Sequence, residues 1–170
     1  FILVSPKNRT AYNFRGDLIK EIIANGYEVI VTGPNRDNVE KIEALGARFA
    51  EIPMNKNGVN PVKDLAYQRA LKTLFDKEKP DAVLGYTSKP VIYGSIAAKR
   101  AGVKKITAMI TGLGYAFTQK TLKARIIRLI MIMLYCLQYP ELDILDVQCF
   151  LIQLHHHQEV SFYVVCLKEA

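Results

Sequence analysis

One rhythm runs through the first 115 residues: a short apolar run, an amphipathic stretch, a glycine, and then another apolar run. Residues 1–4 (Phe-Ile-Leu-Val) are continuously apolar and β-rich, which predicts a strand covered on both faces. Residues 17–23 have helical spacing and stop at Gly26, a good residue just past a helix end. Residues 27–31 read as the second strand. Asp37, with Glu40 three residues on, has the spacing of a capping box, which predicts a helix carrying Val39, Ile42 and Leu45 and stopping at Gly46. Residues 47–52 are a weaker third strand. Residues 55–60 are turn chemistry, and Pro61 suits the first turn of a helix that runs to about Lys79. Residues 82–84, a helix over about 90–101 stopped by Gly102, and residues 105–110 complete the series.

Strands alternating with helices of this length pair in parallel through right-handed crossovers. The expected fold is α/β: a Rossmann-like, doubly wound parallel sheet of five strands in order 3-2-1-4-5. Ligands of such sheets bind beyond the carboxyl ends of the strands. Three segments are therefore singled out: Ser5 to Thr10, Gly85 to Pro90, and Thr111 to Tyr115.

The first segment argues against a dinucleotide-binding domain. That function needs glycines directly after the first strand so that the backbone can approach a pyrophosphate. Residues 5–10 hold no glycine and offer Lys7, Asn8, Arg9 and hydroxyls instead; a P-loop is equally absent. A polar surface turn would look the same. At Thr87-Ser88-Lys89-Pro90 a strand turns into a helix, and free N–H groups there can hold a phosphate or a sugar hydroxyl, or simply be capped. At Thr111-Gly112-Leu113-Gly114 two glycines follow a strand and let the backbone pass close to a ligand, or close a tight turn.

Charge bears on partners. The net charge is +7, and between Asp81 and Glu141 there is no acidic residue, while Lys89, Lys99, Arg100, Lys104, Lys105, Lys120, Lys123, Arg125 and Arg128 all fall there. A one-sign stretch of this length attracts anions, whether phosphate, anionic lipid or nucleic acid, and is otherwise a solvated face. Nucleic-acid binding has only this charge behind it, without a recognisable module. Cys136, Cys149 and Cys166 are odd in number and lack CxxC spacing, so neither a disulfide framework nor a zinc site is indicated, and a cytoplasmic setting is expected. His155-His156-His157 is read as incidental, because adjacent imidazoles rarely converge on one ion; no metal is expected. The chain opens at Phe1 inside an apolar run, so residues are expected to precede it, and no signal peptide is read.

The three loop segments together resemble the N-terminal domain of bacterial family 4 glycosyltransferases. The resemblance rests on Ser5-Pro6-Lys7 with Phe14-Arg15-Gly16, on residues 80–99, and on Ile110-Thr-Gly-Leu-Gly-Tyr-Ala-Phe117, and it covers about residues 1–139. The most similar group extends lipid-linked glycans and capsular or O-antigen (lipopolysaccharide) units. The resemblance implies one half of a GT-B fold, in which a second domain holds the nucleotide-sugar and this one faces the acceptor. It implies transfer of a hexosyl or N-acetylhexosaminyl group to a glycan or lipid-linked acceptor, without a resident cofactor. The acceptor-facing residues would be Asn8, Arg9, Arg15, Thr87, Ser88, Lys89, Thr111, Gly112, Gly114 and Tyr115. Many relatives carry a histidine on these loops and this chain has none before His155, so no catalytic residue is assigned.

Leu122, Ile126, Leu129, Ile130, Met133 and Leu137 share one helical stripe, with Lys120, Lys123, Arg125 and Arg128 on the other side near its start. Such a helix either packs on the sheet or lies in a membrane interface, which would put the protein at the inner face of the cell membrane; it is too short to cross a bilayer. The rhythm stops near Tyr139. All ten glycines lie at or before Gly114, and all cysteines and histidines lie after Tyr135. Residues 140–170 are accordingly expected to be an irregular, non-native or frame-shifted ending, in a fragment that lacks the donor domain and is inactive alone. The competing reading is a stand-alone basic module that recruits a separate donor-binding subunit at the membrane.

Overall fold

The structure, a computed structural model, describes residues 1–55, 60–109, 121, 122 and 125, together with the backbone of 110 and 163–166. Contacts divide the chain into two units, Phe1–Met109 with Val164–Ala170, and Ile110–Tyr163. The expected boundary near Tyr139 falls in the second unit, outside the described residues. The first unit holds the sheet.

Its elements alternate: β1 (Ile2–Val4), α1 (Asn8–Ala24), β2 (Ile30–Gly33), α2 (Val39–Glu43), β3 (Arg48–Glu51), α3 (Pro61–Glu78), β4 (Ala82–Tyr86), α4 (Ser88–Arg100) and β5 (Lys105–Ile110). β1 pairs in parallel with β2 and β4, β2 with β3, and β4 with β5. The order 3-2-1-4-5 is thus the expected one. β1 is central, and its side chains alternate between two cores. Ile2 and Val4 join Tyr67, Leu71, Phe75, Ala97 and Ala98 of α3 and α4. Leu3 joins Ala11, Ile19 and Ile42 of α1 and α2. All three strand residues are at most 1% exposed, and truncating one to alanine would cost about 2–5 kcal/mol.

The sheet has a sixth strand, β6 (Tyr163–Cys166), beside β5. These four residues lie within the stretch read as an irregular ending, and they are extended. Tyr-Val-Val-Cys is β-branched and apolar, and without it β5 would present an open sheet edge. Residues 140–162 and 167–170 lie outside the described residues.

Two boundaries depart from the sequence reading. α1 begins nine residues before the expected start, so most of the presumed first loop is helix. Residues 8–16 carry no clean apolar period, yet Asn8, Ala11, Arg15 and Gly16 are buried by tertiary contact. At α2 the Asp37 capping box does not form. Asn38 is the N-cap, with φ +56° and no side-chain cap bond, while Asp37 accepts from Asn35 Nδ2 and its carbonyl accepts from Asn8 Nδ2 at 2.7 Å. α3 starts as read, with the Asn60 side chain accepting from the Lys63 N–H at 3.1 Å and Pro61 at the first position.

Candidate functional site

In this strand order the chain leaves β1 toward β2 on one side and reaches β4 on the other. The carboxyl ends of β1 and β4 therefore bound the switch-point crevice. Ser5 and Thr10 come from the β1 side, Tyr86 and Thr87 from the β4 side.

Tyr86, the last residue of β4, is 2% exposed and reaches across the crevice. It shares hydrogen bonds with Ser5 Oγ at 2.5 Å and Thr10 Oγ1 at 3.0 Å. Both of those hydroxyls can donate to the Lys7 carbonyl at 2.8 Å; the single Tyr86 proton then goes to one of the two oxygens at a time. The Arg15 guanidinium lies 5.2 Å from the centre of the Tyr86 ring, a cation–π distance. Burial pushes the Tyr86 phenol up, against the opposing pull of its bonds to Ser5 and Thr10 and of the Arg15 charge. It stays protonated at neutral pH.

Thr87 follows with φ +66° and ψ 164°, a region that only glycine enters freely and that costs about 1–3 kcal/mol for other residues. Its N–H donates to the Met109 carbonyl at 3.3 Å and its carbonyl accepts from Val91 at 3.0 Å. Its side chain makes no cap bond at the start of α4. The turn is tight because Gly85 lets the strand meet the helix: a Cβ there would sit 2.8 Å from the Pro90 carbonyl oxygen.

A second polar cluster occupies the same rim on the α3–α4 face. Lys89 Nζ donates to Asp64 Oδ1 at 2.6 Å and to the Asn55 carbonyl at 2.8 Å. Tyr93 donates to Asp64 Oδ2 at 3.2 Å, and the Asn60 N–H donates to the same oxygen at 3.3 Å. The Asp64 side chain is only 3% exposed. Burial first, then the Asp64 charge, pushes the Tyr93 phenol up to about 12.

The structure therefore separates the sequence candidates. Arg15 and Thr87 meet at the switch point through Tyr86. Asn8 does not: its amide turns to the carbonyls of Asn35, at 2.9 Å, and Asp37, against Gly33, which has no room for a Cβ. Lys89 is engaged by Asp64. Arg9 is exposed in the first turn of α1, and Ser88 is half-buried. Thr111, Gly112, Gly114, Tyr115, Lys120, Lys123 and Arg128 lie outside the described residues; Arg125 and Leu122 are exposed. Ser5, Thr10 and Tyr86 were missing from the residue set that the family resemblance implies. Their signal was positional: Ser5 and Tyr86 stand at the carboxyl ends of β1 and β4, and Thr10 in the first turn of the helix that follows β1.

These hydroxyls are bonded to one another and to the Lys7 carbonyl, and none of them is a base poised near neutral pH. Among the described residues no group of His, Cys, Asp and Glu could hold a metal ion, and no helix is long and apolar enough to cross a membrane. A cavity of about 650 Å³ opens at the opposite end of the sheet, beside Phe1, Asp81 and Lys105, where strands begin rather than end.

Residues 2–139 match the family model described as glycosyl transferase 4-like. The chain belongs to that family. A curated relative from Campylobacter jejuni, N,N'-diacetylbacillosaminyl-diphospho-undecaprenol alpha-1,3-N-acetylgalactosaminyltransferase, is 25% identical over 136 residues, which are 80% of this chain and 36% of the relative. The chain thus spans about a third of that enzyme's length. Among solved structures, a UDP-N-acetylglucosamine 2-epimerase superposes with a TM-score of 0.55 at 18% identity, over 78% of this chain and 39% of the epimerase. MurG from Acinetobacter baumannii superposes with a TM-score of 0.51 at 15% identity, over 75% of this chain and 37% of MurG. Both likenesses are of fold: a GT-B-like, Rossmann-type half.

Proposed function

We propose that this chain is the acceptor-side half of a bacterial glycosyltransferase that moves an N-acetylhexosaminyl group from a nucleotide-sugar to a lipid-linked glycan. The observation that carries the reading is the switch-point crevice. Among the described residues it is lined by hydroxyls, a buried guanidinium and the strained Thr87, and no glycine directly follows β1. Sugar hydroxyls are well matched by such groups. The relative's name supports the acceptor class, because it specifies a diphospho-undecaprenol glycan. Arg15, Thr87 and Tyr86 would line the acceptor side, with the Thr111–Tyr115 segment completing it. No resident cofactor or metal is needed in this reading.

Transfer depends on holding donor and acceptor in line and on stabilising the departing diphosphate. A donor half would supply most of both, so the chain alone should not turn over. The test is to incubate the purified chain with nucleotide-activated N-acetylhexosamines and a lipid-diphosphate glycan. Nucleoside diphosphate should accumulate only when a donor-binding half is supplied, and turnover by the chain alone would end the half-enzyme reading.

A further inference from the structure

α3 opens on an exposed apolar face where an outer helix face is ordinarily polar. At 100° per residue, Val62, Leu65, Ala66 and Arg69 share an outward stripe roughly 100° wide, with Lys63 at its border. The buried side chains Asp64, Tyr67, Gln68, Leu71 and Phe75 lie on the opposite side. Val62 is 79% exposed and Leu65 41%. The apolar part is confined to the first two turns; further on the exposed residues are Thr73, Asp76 and Lys77. α3 follows β3, so these turns stand at the carboxyl rim of the sheet, the edge that carries the crevice.

The charge of this patch is one-sided. Its sole acid, Asp64, points inward and is neutralised by Lys89 at 2.6 Å. Lys63 and Arg69 are exposed, and among the described residues neither has a salt bridge. The positive end of the helix dipole adds to them. A second copy of the chain would bring like charge against like, whereas an anionic bilayer surface accepts the apolar side chains and the cations together.

We infer that the first two turns of α3, through Val62 and Leu65 flanked by Lys63 and Arg69, dock on an anionic lipid surface and bring the crevice to a membrane-borne acceptor. The inference rests on the lipid-linked acceptor reading above. It is tested by co-sedimenting the whole chain with vesicles of phosphatidylcholine alone and of phosphatidylcholine mixed with phosphatidylglycerol. The wild type should bind the mixed vesicles and lose binding as salt rises. Val62→Ser with Leu65→Ser should cut binding by about tenfold or more, since two side chains no longer enter the interface. Lys63→Gln with Arg69→Gln should cut it about fivefold per cation. Thermal melts that match the wild type show that both variants fold. No binding by the wild type, equal binding to neutral vesicles, or wild-type binding by the serine variant would each overturn the assignment. A water-soluble acceptor with a short lipid chain separates the two claims. Its binding should be the same in all three proteins. If it binds but vesicle capture ignores α3, the surface fails and the functional reading stands. If it does not bind while capture follows α3, the functional reading fails and the surface stands.

Discussion

Two polar clusters share the carboxyl rim of this sheet, and they differ in kind. At the switch point Ser5, Thr10 and Tyr86 form a neutral hydroxyl cluster across the crevice. On the α3–α4 face Asp64, Lys89 and Tyr93 form an ionic cluster tying two helix starts together. In the sequence Thr87 and Lys89 were equal candidates two residues apart. In the structure Lys89 is held by Asp64 and the Asn55 carbonyl, whereas the Thr87 side chain makes no cap bond and its backbone is strained. One cluster mainly holds the fold; the other has the composition of a binding surface.

If that contrast is right, removing the lysine should do the most damage. Lys89→Met leaves the Asp64 carboxylate buried without its cation and should cost about 3 kcal/mol, lowering Tm by roughly 2–4 °C per kcal/mol. Adding Asp64→Leu should recover most of the loss, and a double-mutant cycle read by denaturant melts checks it. Independent, additive effects would mean that the ion pair carries no such weight.

Alkaline pH probes the same cluster next. Tyr93 titrates near 12 in the folded chain, against an ordinary 10, and burial also raises Tyr67. The folded state therefore keeps protons that the unfolded chain gives up, so stability should hold below about pH 10 and fall as pH rises from 10 toward 12. Tm measured against pH should show a shallower fall in Tyr93→Phe; an unchanged slope would remove Tyr93 from the account.

The hydroxyl cluster should be more forgiving. Tyr86→Phe leaves Ser5 and Thr10 bonded to the Lys7 carbonyl, so it should cost only about 1 kcal/mol in a denaturant melt, well below Lys89→Met. A larger loss would make the crevice a structural keystone like its neighbour. The smallest effect is expected at Thr87. Glycine adopts its φ without strain, so Thr87→Gly should raise stability by a few tenths to about 1 kcal/mol while weakening acceptor binding. A lower Tm would show that the side chain stabilises the turn.

The sheet was legible because apolar runs and helix stops are local. β5 appears over the residues read for it, α3 begins at Pro61 behind its Asn60 cap, and Gly26 and Gly102, with φ of +86° and +70°, follow the ends of α1 and α4. What stayed hidden depends on distant partners. The early start of α1 rests on burying Asn8 against the Asn35–Asp37 turn, 27 residues away or more. The fate of Lys89 rests on Asp64, 25 residues earlier. β6 is a β-rich run that joins the edge at β5 across a long stretch of chain. For the site, the sequence located the rim but not which way each side chain turns.

The central claim, that this half faces the acceptor, is most directly tested by titrating the purified chain calorimetrically. One arm uses a water-soluble short-chain lipid-diphosphate glycan, the other a nucleotide-activated N-acetylhexosamine. The account predicts saturable binding of the glycan, weakened by Thr87→Gly, and no measurable binding of the nucleotide-sugar. Binding of the nucleotide-sugar without the glycan would contradict it.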